Sequence, residues 1–202
     1  MSQDRCCGEG CGRPRGRIFV VSGPAGAGKG SVLAGVREVR RDLGLCISAT
    51  TRAPRSGETD GVSYFFLDER EFRARVEAGE FVEWAEVHGN LYGTLKSEVD
   101  RCLQSSSLVL EIDVQGAFMV REQYPDAVLV FIAPPSMEVL RERLVHRGSE
   151  TPETLERRMA DAVGEMEMAA RYNETVVNDD LSVAVGEVLA IMARYESDAA
   201  RM

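Results

Sequence analysis

The sequence is short of the features that would place it in a membrane, on a duplex or in an oxidising compartment. No stretch approaches the ~18 to 20 consecutive apolar residues of a spanning helix. Residues 1–16 are polar and glycine-rich and lack the apolar centre of a secretory signal, so a soluble cytoplasmic protein is the expectation. Basic charge is also short: 24 Lys and Arg stand against 33 Asp and Glu, a net charge of −9. That balance disfavours a general polyanion binder and predicts no nucleic-acid partner. Any phosphate chemistry must come from local basic clusters in an acidic body. Five cysteines in 202 residues do not make a disulfide framework. Cys6, Cys7 and Cys11 crowd the tail, but there are only two histidines, and the nearer, His88, is far along the chain. Three thiolates leave a tetrahedral zinc site one ligand short, so residues 1–15 are read as a disordered tail with reduced thiols. Cys46 and Cys102 sit in or beside apolar runs and read as small core residues.

What is present is an ordinary globular composition, 44% apolar and 28% charged, which argues against wholesale disorder. The length suits one domain with small insertions. After Gly16 the texture changes. Ile18-Phe19-Val20-Val21 is an unbroken apolar run, as expected of a strand buried on both faces. Similar runs fall at 45–48, 108–112, 128–132 and 175–177. Five such runs separated by helical stretches predict an α/β fold with a five-stranded parallel sheet and helices on both faces.

Two insertions break the rhythm. Residues 50–94 hold Tyr64-Phe65-Phe66 and then a helix opened by Asp68, with Glu71 placed for a capping box. A strand over 81–88 and a Gly89-Asn90 turn before Leu91-Tyr92 follow. Tight reversals of this kind predict a small mixed subdomain. The second insertion starts with a helix capped by Ser136, running to His146 and stopped by Gly148. Thr151-Pro152 opens another, in which Leu155, Met159, Ala162, Met166 and Ala169 recur at helical spacing as core filling.

Gly23-Pro24-Ala25-Gly26-Ala27-Gly28-Lys29 lies between the first strand and the first helix, the context a phosphate-binding loop requires. Its glycines let backbone N–H groups curl round a phosphate at a helix N-terminus, and Lys29 supplies a mobile charge for the terminal phosphates. The next position, where a hydroxyl would ligate Mg²⁺, is Gly30, with Ser31 one residue later. Mg²⁺ is therefore expected to be held by phosphates and water, with no direct protein ligand. Arg52 and Arg55 leave a strand end, where two guanidinium forks could grip a second phosphate. His88 and His146 have no partner that would give them a role.

Residues 48–66 (Ser48-Ala49-Thr50-Thr51-Arg52-Ala53-Pro54-Arg55, and on to Tyr64-Phe65-Phe66) resemble the nucleotide-binding signature of guanylate kinases. Gly79-Glu80-Phe81-Val82-Glu83-Trp84, Gly89-Asn90-Leu91-Tyr92-Gly93-Thr94 and Leu110-Glu111-Ile112-Asp113-Val114-Gln115-Gly116 resemble the family's next segments in order. So do Arg143-Leu144-x2-Arg147-Gly148 and Val177-Asn178-Asp179-Asp180-Leu181, and the resemblance covers about residues 16–195. It implies a kinase core at 16–49, 95–135 and 171–196, a GMP-binding insertion at 50–94 and a helical lid at 136–170. It also implies that Arg52, Arg55, Tyr64 and Tyr92 hold the GMP phosphate. Ser48, Glu83 and Thr94 would read the base with Asp113 nearby, and Asn178 would approach adenine. Arg143, Arg147 and Arg158 would be lid arginines closing over ATP. The expected reaction is MgATP + GMP → ADP + GDP, catalysed by a monomer or small homo-oligomer. A kinase for another acceptor on the same scaffold, or a non-catalytic module of the same shape, remain the rivals, because fold alone does not separate them.

Overall fold

The computed structural model describes residues 16–87, 89–146 and 152–199. Its elements, in chain order, are β1 (Ile18–Ser22), α1 (Lys29–Val39), β2 (Ala49–Thr50), β3 (Phe65–Phe66), α2 (Glu69–Glu77), β4 (Phe81–Val87) and β5 (Asn90–Leu95). They continue with α3 (Lys96–Leu103), β6 (Leu108–Glu111), α4 (Val114–Gln123), β7 (Val128–Ala133), α5 (Met137–His146) and α6 (Pro152–Glu167). A 3₁₀ turn (Met168–Arg171), β8 (Glu174–Val177) and α7 (Leu181–Ala199) complete the chain.

The first sheet runs in the order β6-β1-β7-β8, with every pairing parallel. β1 explains why its sequence is apolar without alternation. Phe19 and Val21 face a cluster built with Val32, Leu33 and Val36 of α1 and Val188 and Met192 of α7. Ile18 and Val20 face the opposite cluster, with Val99 of α3 and Ala117 and Val120 of α4. Both faces are thus covered by helices, as right-handed crossovers require.

The sheet has four strands among the described residues, where five apolar runs predicted five. Gly44, just before the run at 45–48, makes one parallel bridge to Leu108 of β6, and the run itself leaves the sheet. Its backbone groups are taken by side chains of α3 instead. Glu98 accepts from the Ile47 N–H at 3.3 Å, and Arg101 donates to the Leu45 carbonyl at 3.3 Å. A segment whose ladder bonds go to a neighbouring helix does not extend the sheet.

The second sheet, β3-β2-β5-β4, is mixed. It packs through Ala49, Phe81, Leu91 and Leu95 on Phe72 of α2, which stacks on Phe81 with ring centroids 4.4 Å apart. Half of the expected capping box forms: Asp68 accepts from the Glu71 N–H at 2.7 Å, while the Glu71 carboxylate pairs with Arg75. Ser136 caps α5 through the Val139 N–H at 3.2 Å. Leu140 and Leu144 of α5 bury against Leu155 and Ala162 of α6, with Met159 packed alongside, as core filling predicts. Arg147, Gly148, Thr151, His88 and the cysteine-bearing tail lie outside the described residues. No helix among the described residues is long and apolar enough to cross a membrane.

Candidate active site

The loop at 23–28 joins the carboxyl end of β1 to α1, where an open parallel sheet offers a binding crevice. Two glycines there are required by shape. Gly23 has φ +142°, and a Cβ on it would lie 2.1 Å from the Ile132 carbonyl oxygen. Gly28 has φ +92°, and a Cβ there would meet the Asn178 amide nitrogen at 2.3 Å. Gly28 caps α1 without any side-chain hydrogen bond, so the first N–H groups of the helix are left to a ligand. Lys29 donates to the Gly23 carbonyl, and to the Pro24 carbonyl at 3.1 Å. Its ammonium is therefore held at the loop mouth.

Asn178 reaches this loop from the end of β8. It is buried, and its amide donates to the Ala27 carbonyl at 2.8 Å. Arg143 donates to the Asn178 carbonyl at 2.9 Å and to the Ala27 carbonyl at 3.5 Å. The two residues brace the loop through the Ala27 carbonyl. Gly26, Gly28, Ser31, Arg143 and Asn178 nonetheless line one open cleft of about 580 Å³, with His146 also on its wall. Sequence reasoning had given that histidine no role. Arg158 sits half-buried on α6.

The second sheet carries the other predicted set. Glu83 on β4 and Thr94 on β5 are cross-strand neighbours, and the Thr94 hydroxyl donates to Glu83 Oε1 at 2.7 Å. Burial pushes the Glu83 carboxyl up; the Thr94 hydroxyl opposes that, and the charge of Asp113 adds to it. The carboxylate's hydrogen-bond partner is Thr94, through its hydroxyl and its backbone N–H. Asp113 caps α4 through the Gly116 N–H at 2.7 Å, which fixes it at the carboxyl end of β6.

Arg52 lies over the rings of Tyr64 (5.5 Å) and Phe66 (5.9 Å), and Tyr64 meets Tyr92 edge-on at 6.2 Å. The Tyr92 hydroxyl also bonds the Arg52 guanidinium, so these three predicted residues do converge. Arg55 is less engaged: its side chain is exposed, and it is held through its backbone, whose N–H donates to the Glu58 carboxylate and whose carbonyl accepts from the Glu58 N–H. Ser48 is half-buried, and its carbonyl accepts from the Phe65 N–H at 2.9 Å.

Three residues that sequence reasoning missed belong to the same region. Glu58 pairs with Arg52 at 2.8 Å and accepts from the Arg55 N–H at 2.7 Å, and Arg52 holds its carboxyl below the usual range. An acid three residues past an arginine pair in a glycine turn was the available signal. Glu165, on α6, lies within electrostatic reach of Lys29 and Asp113. Tyr172 buries its hydroxyl near Ser22 with no hydrogen bond among the described residues. Neither of the last two carries a local sequence signal.

Comparison with known proteins falls in line with this geometry. A family profile described as Guanylate kinase matches residues 15–195. The chain is 49% identical over 179 residues to a guanylate kinase of Clostridium perfringens (strain 13 / Type A), covering 88% of this chain and 83% of that protein. It is 48% identical over 185 residues to one from Gloeobacter violaceus, covering 91% and 90% respectively. Among solved structures, a guanylate kinase from Anaplasma phagocytophilum superposes with a TM-score of 0.69 at 32% identity, covering 91% of this chain and 88% of that one.

Proposed function

This chain belongs to the guanylate kinase family, and on that premise we propose how its residues move a phosphoryl group from ATP to GMP. The enzyme is an ATP:GMP phosphotransferase. A GMP phosphate oxygen attacks Pγ of ATP, a new O–Pγ bond forms, the bond from Pγ to the β–γ bridging oxygen breaks, and ADP leaves with that oxygen. The nucleophile is already ionised, so no side chain has to remove a proton. The obstacle is the approach of two polyanions, and the protein's work is to position them and offset their charge.

In this reading the loop of Gly23, Pro24, Ala25, Gly26, Ala27 and Gly28, with Lys29, Gly30 and Ser31, cradles the ATP phosphates. Lys29 follows the charge that grows on the leaving oxygen. Residues 136–170 act as a lid, whose Arg143, Arg147 and Arg158 add positive charge from the other side and exclude water. Arg143 and Asn178 hold the loop in shape through Ala27. Arg52, Arg55, Tyr64 and Tyr92 take the GMP phosphate, and Ser48, Glu83 and Thr94 read guanine beside Asp113. These roles imply a core at 16–49, 95–135 and 171–196 and an acceptor insertion at 50–94.

The residues around α1 suit a Mg²⁺ ion held through water. Gly30 offers no hydroxyl, but Ser31 lies exposed beside it, and a Cβ on Gly30 would stand 3.6 Å from a Glu111 carboxylate oxygen. An oxygen-only set of this kind fits a hard cation that keeps its water. When bound to ATP, Mg²⁺ offsets charge on the phosphate oxygens. The enzyme works in the cytoplasm as a monomer or small homo-oligomer, without nucleic-acid or membrane partners.

The observation that carries the guanine reading is the half-buried Glu83 carboxylate, held by Thr94 alone among the described residues. A buried carboxylate calls for donors. Guanine offers N1–H and the 2-amino group side by side, whereas adenine has an acceptor at N1 and no 2-amino group. On the phosphate side, Arg52→Met should raise the KM for GMP about thirtyfold and leave kcat within about threefold, the value of one charge-assisted contact. Steady-state kinetics at saturating ATP measures this, and an unchanged KM removes Arg52 from the acceptor site.

A further inference from the structure

We propose that Cys46 and Cys102 form a covalent modification site, a dithiol that a small peroxide converts to a disulfide, tying the chain that enters the second sheet to α3. Its consequence for GMP rests on the reading of that sheet as the acceptor site.

The two sulfurs are 56 residues apart in the chain and 3.7 Å apart in the fold. The Cys46 thiol donates to Cys102 Sγ, and the Cys102 thiol donates in turn to the Leu45 carbonyl at 3.5 Å. The pair therefore has to close from 3.7 Å to the ~2.05 Å of an S–S bond. The two sides differ in freedom. Cys102 is 2% exposed on α3 and packs in the cluster of Val99, Leu108 and Val120. Cys46 lies half-buried in the run at 45–48, which has left the sheet and is held to α3 by two side-chain bonds of 3.3 Å each. The helix supplies the fixed sulfur and the segment supplies the movable one.

The chemistry follows from the surroundings. Cys46 is the more open of the two and follows the exposed Leu45, so peroxide meets it first. Arg101 donates to Cys102 Sγ at 3.6 Å, a cation placed to favour the attacking thiolate. Burial and then Cys102 push the Cys46 thiol up, with Arg101 opposing them, so the pair stays reduced until peroxide is in excess. The Cys46 thiolate takes one oxygen from H₂O₂, giving a sulfenic acid and hydroxide. The Cys102 thiolate then attacks that sulfur, the S–S bond forms, and the S–O bond breaks to release a second hydroxide. With the two thiol protons, one H₂O₂ and two thiols give one disulfide and two waters.

The chain passes between the two sheets twice, and both passages meet on α3. Residues 45–48 run directly into β2, and β5 ends at Leu95, where α3 begins at Lys96. Drawing Cys46 toward α3 shifts Ser48 two residues on, and with it β2 and the approach to Arg52. The loop at 23–28 and Lys29 lie outside the segment that the bridge closes.

The test treats the full chain with millimolar H₂O₂ at about pH 8, maps disulfides by mass spectrometry without reduction, and measures steady-state kinetics before and after. Cys46→Ser and Cys102→Ala are treated in parallel. A Cys46–Cys102 linked peptide should appear, and the KM for GMP should rise about tenfold, the scale of a modest misplacement in a site. The KM for ATP should stay within about twofold. Dithiothreitol should reverse the change, and neither variant should show it. Absence of the linked peptide overturns the proposal, as does a bridge from either residue to Cys6, Cys7 or Cys11 in its place. A matching rise in KM in the treated Cys46→Ser variant overturns it too, because another oxidised group would then be responsible. If the bridge forms and leaves the KM for GMP unchanged while Arg52→Met raises it, this inference alone fails. If neither raises it, the acceptor-site reading fails as well.

Discussion

Lys29→Met is expected to lower kcat about a thousandfold, close to 4 kcal/mol of lost transition-state stabilisation. Methionine keeps the length and apolar stem of the side chain and removes only the charge. The loop itself survives, because Gly23 and Gly28 set its shape and Asn178 and Arg143 hold it through the Ala27 carbonyl. Backbone N–H groups at the uncapped start of α1 still attract the triphosphate, so the KM for ATP should rise by no more than about tenfold. The larger loss falls on kcat, since the ammonium matters most as charge gathers on the leaving oxygen. Single-turnover ADP formation separates the two effects. Full turnover in this variant would remove the electrostatic account of the reaction.

Glu83→Gln is the second large effect, and it acts on the acceptor. The amide keeps one acceptor oxygen and replaces the other with a donor, which then faces a guanine donor. One charge-assisted bond is lost and a buried donor is left unpaired, so kcat/KM for GMP should fall about a thousandfold, most of it in KM. The Thr94 hydroxyl, which bonds Glu83 Oε1 at 2.7 Å, keeps a partner in the amide oxygen, so the β4–β5 pairing should hold. The gap between GMP and AMP should narrow, because the new donor suits adenine N1. Kinetics with both nucleotides on wild type and variant reads the change directly.

The parts of this architecture that lay open in the sequence are those written locally. A two-face-buried strand, a glycine loop, a lysine and a helix stand in immediate succession at 18–39. The Ser136 cap and the apolar stripe of α6 are local in the same way. The run at 45–48 misled because apolar spacing does not record where backbone hydrogen bonds go; Glu98 and Arg101 of α3 took them from the sheet edge. Position at a strand end placed Asn178 beside the cleft but did not reveal that its amide also bonds the Ala27 carbonyl. Glu58 and Glu165 were illegible for a plainer reason. Each is one acid among 33 acidic residues, and only the folded chain sets it against Arg52 or Lys29. Glu83 stood out through the company of its segment, and its burial supplies the physical reason for that company.

The central claim is that the half-buried Glu83 carboxylate selects the acceptor base. ADP release by the wild-type enzyme, measured with MgATP and with GMP, AMP, CMP or UMP in turn, tests it most directly. The account predicts a kcat/KM for GMP about 10⁴-fold or more above that for AMP, as a site built on hydrogen bonds rejects an analogue that cannot make them. Equal rates with GMP and AMP would contradict it.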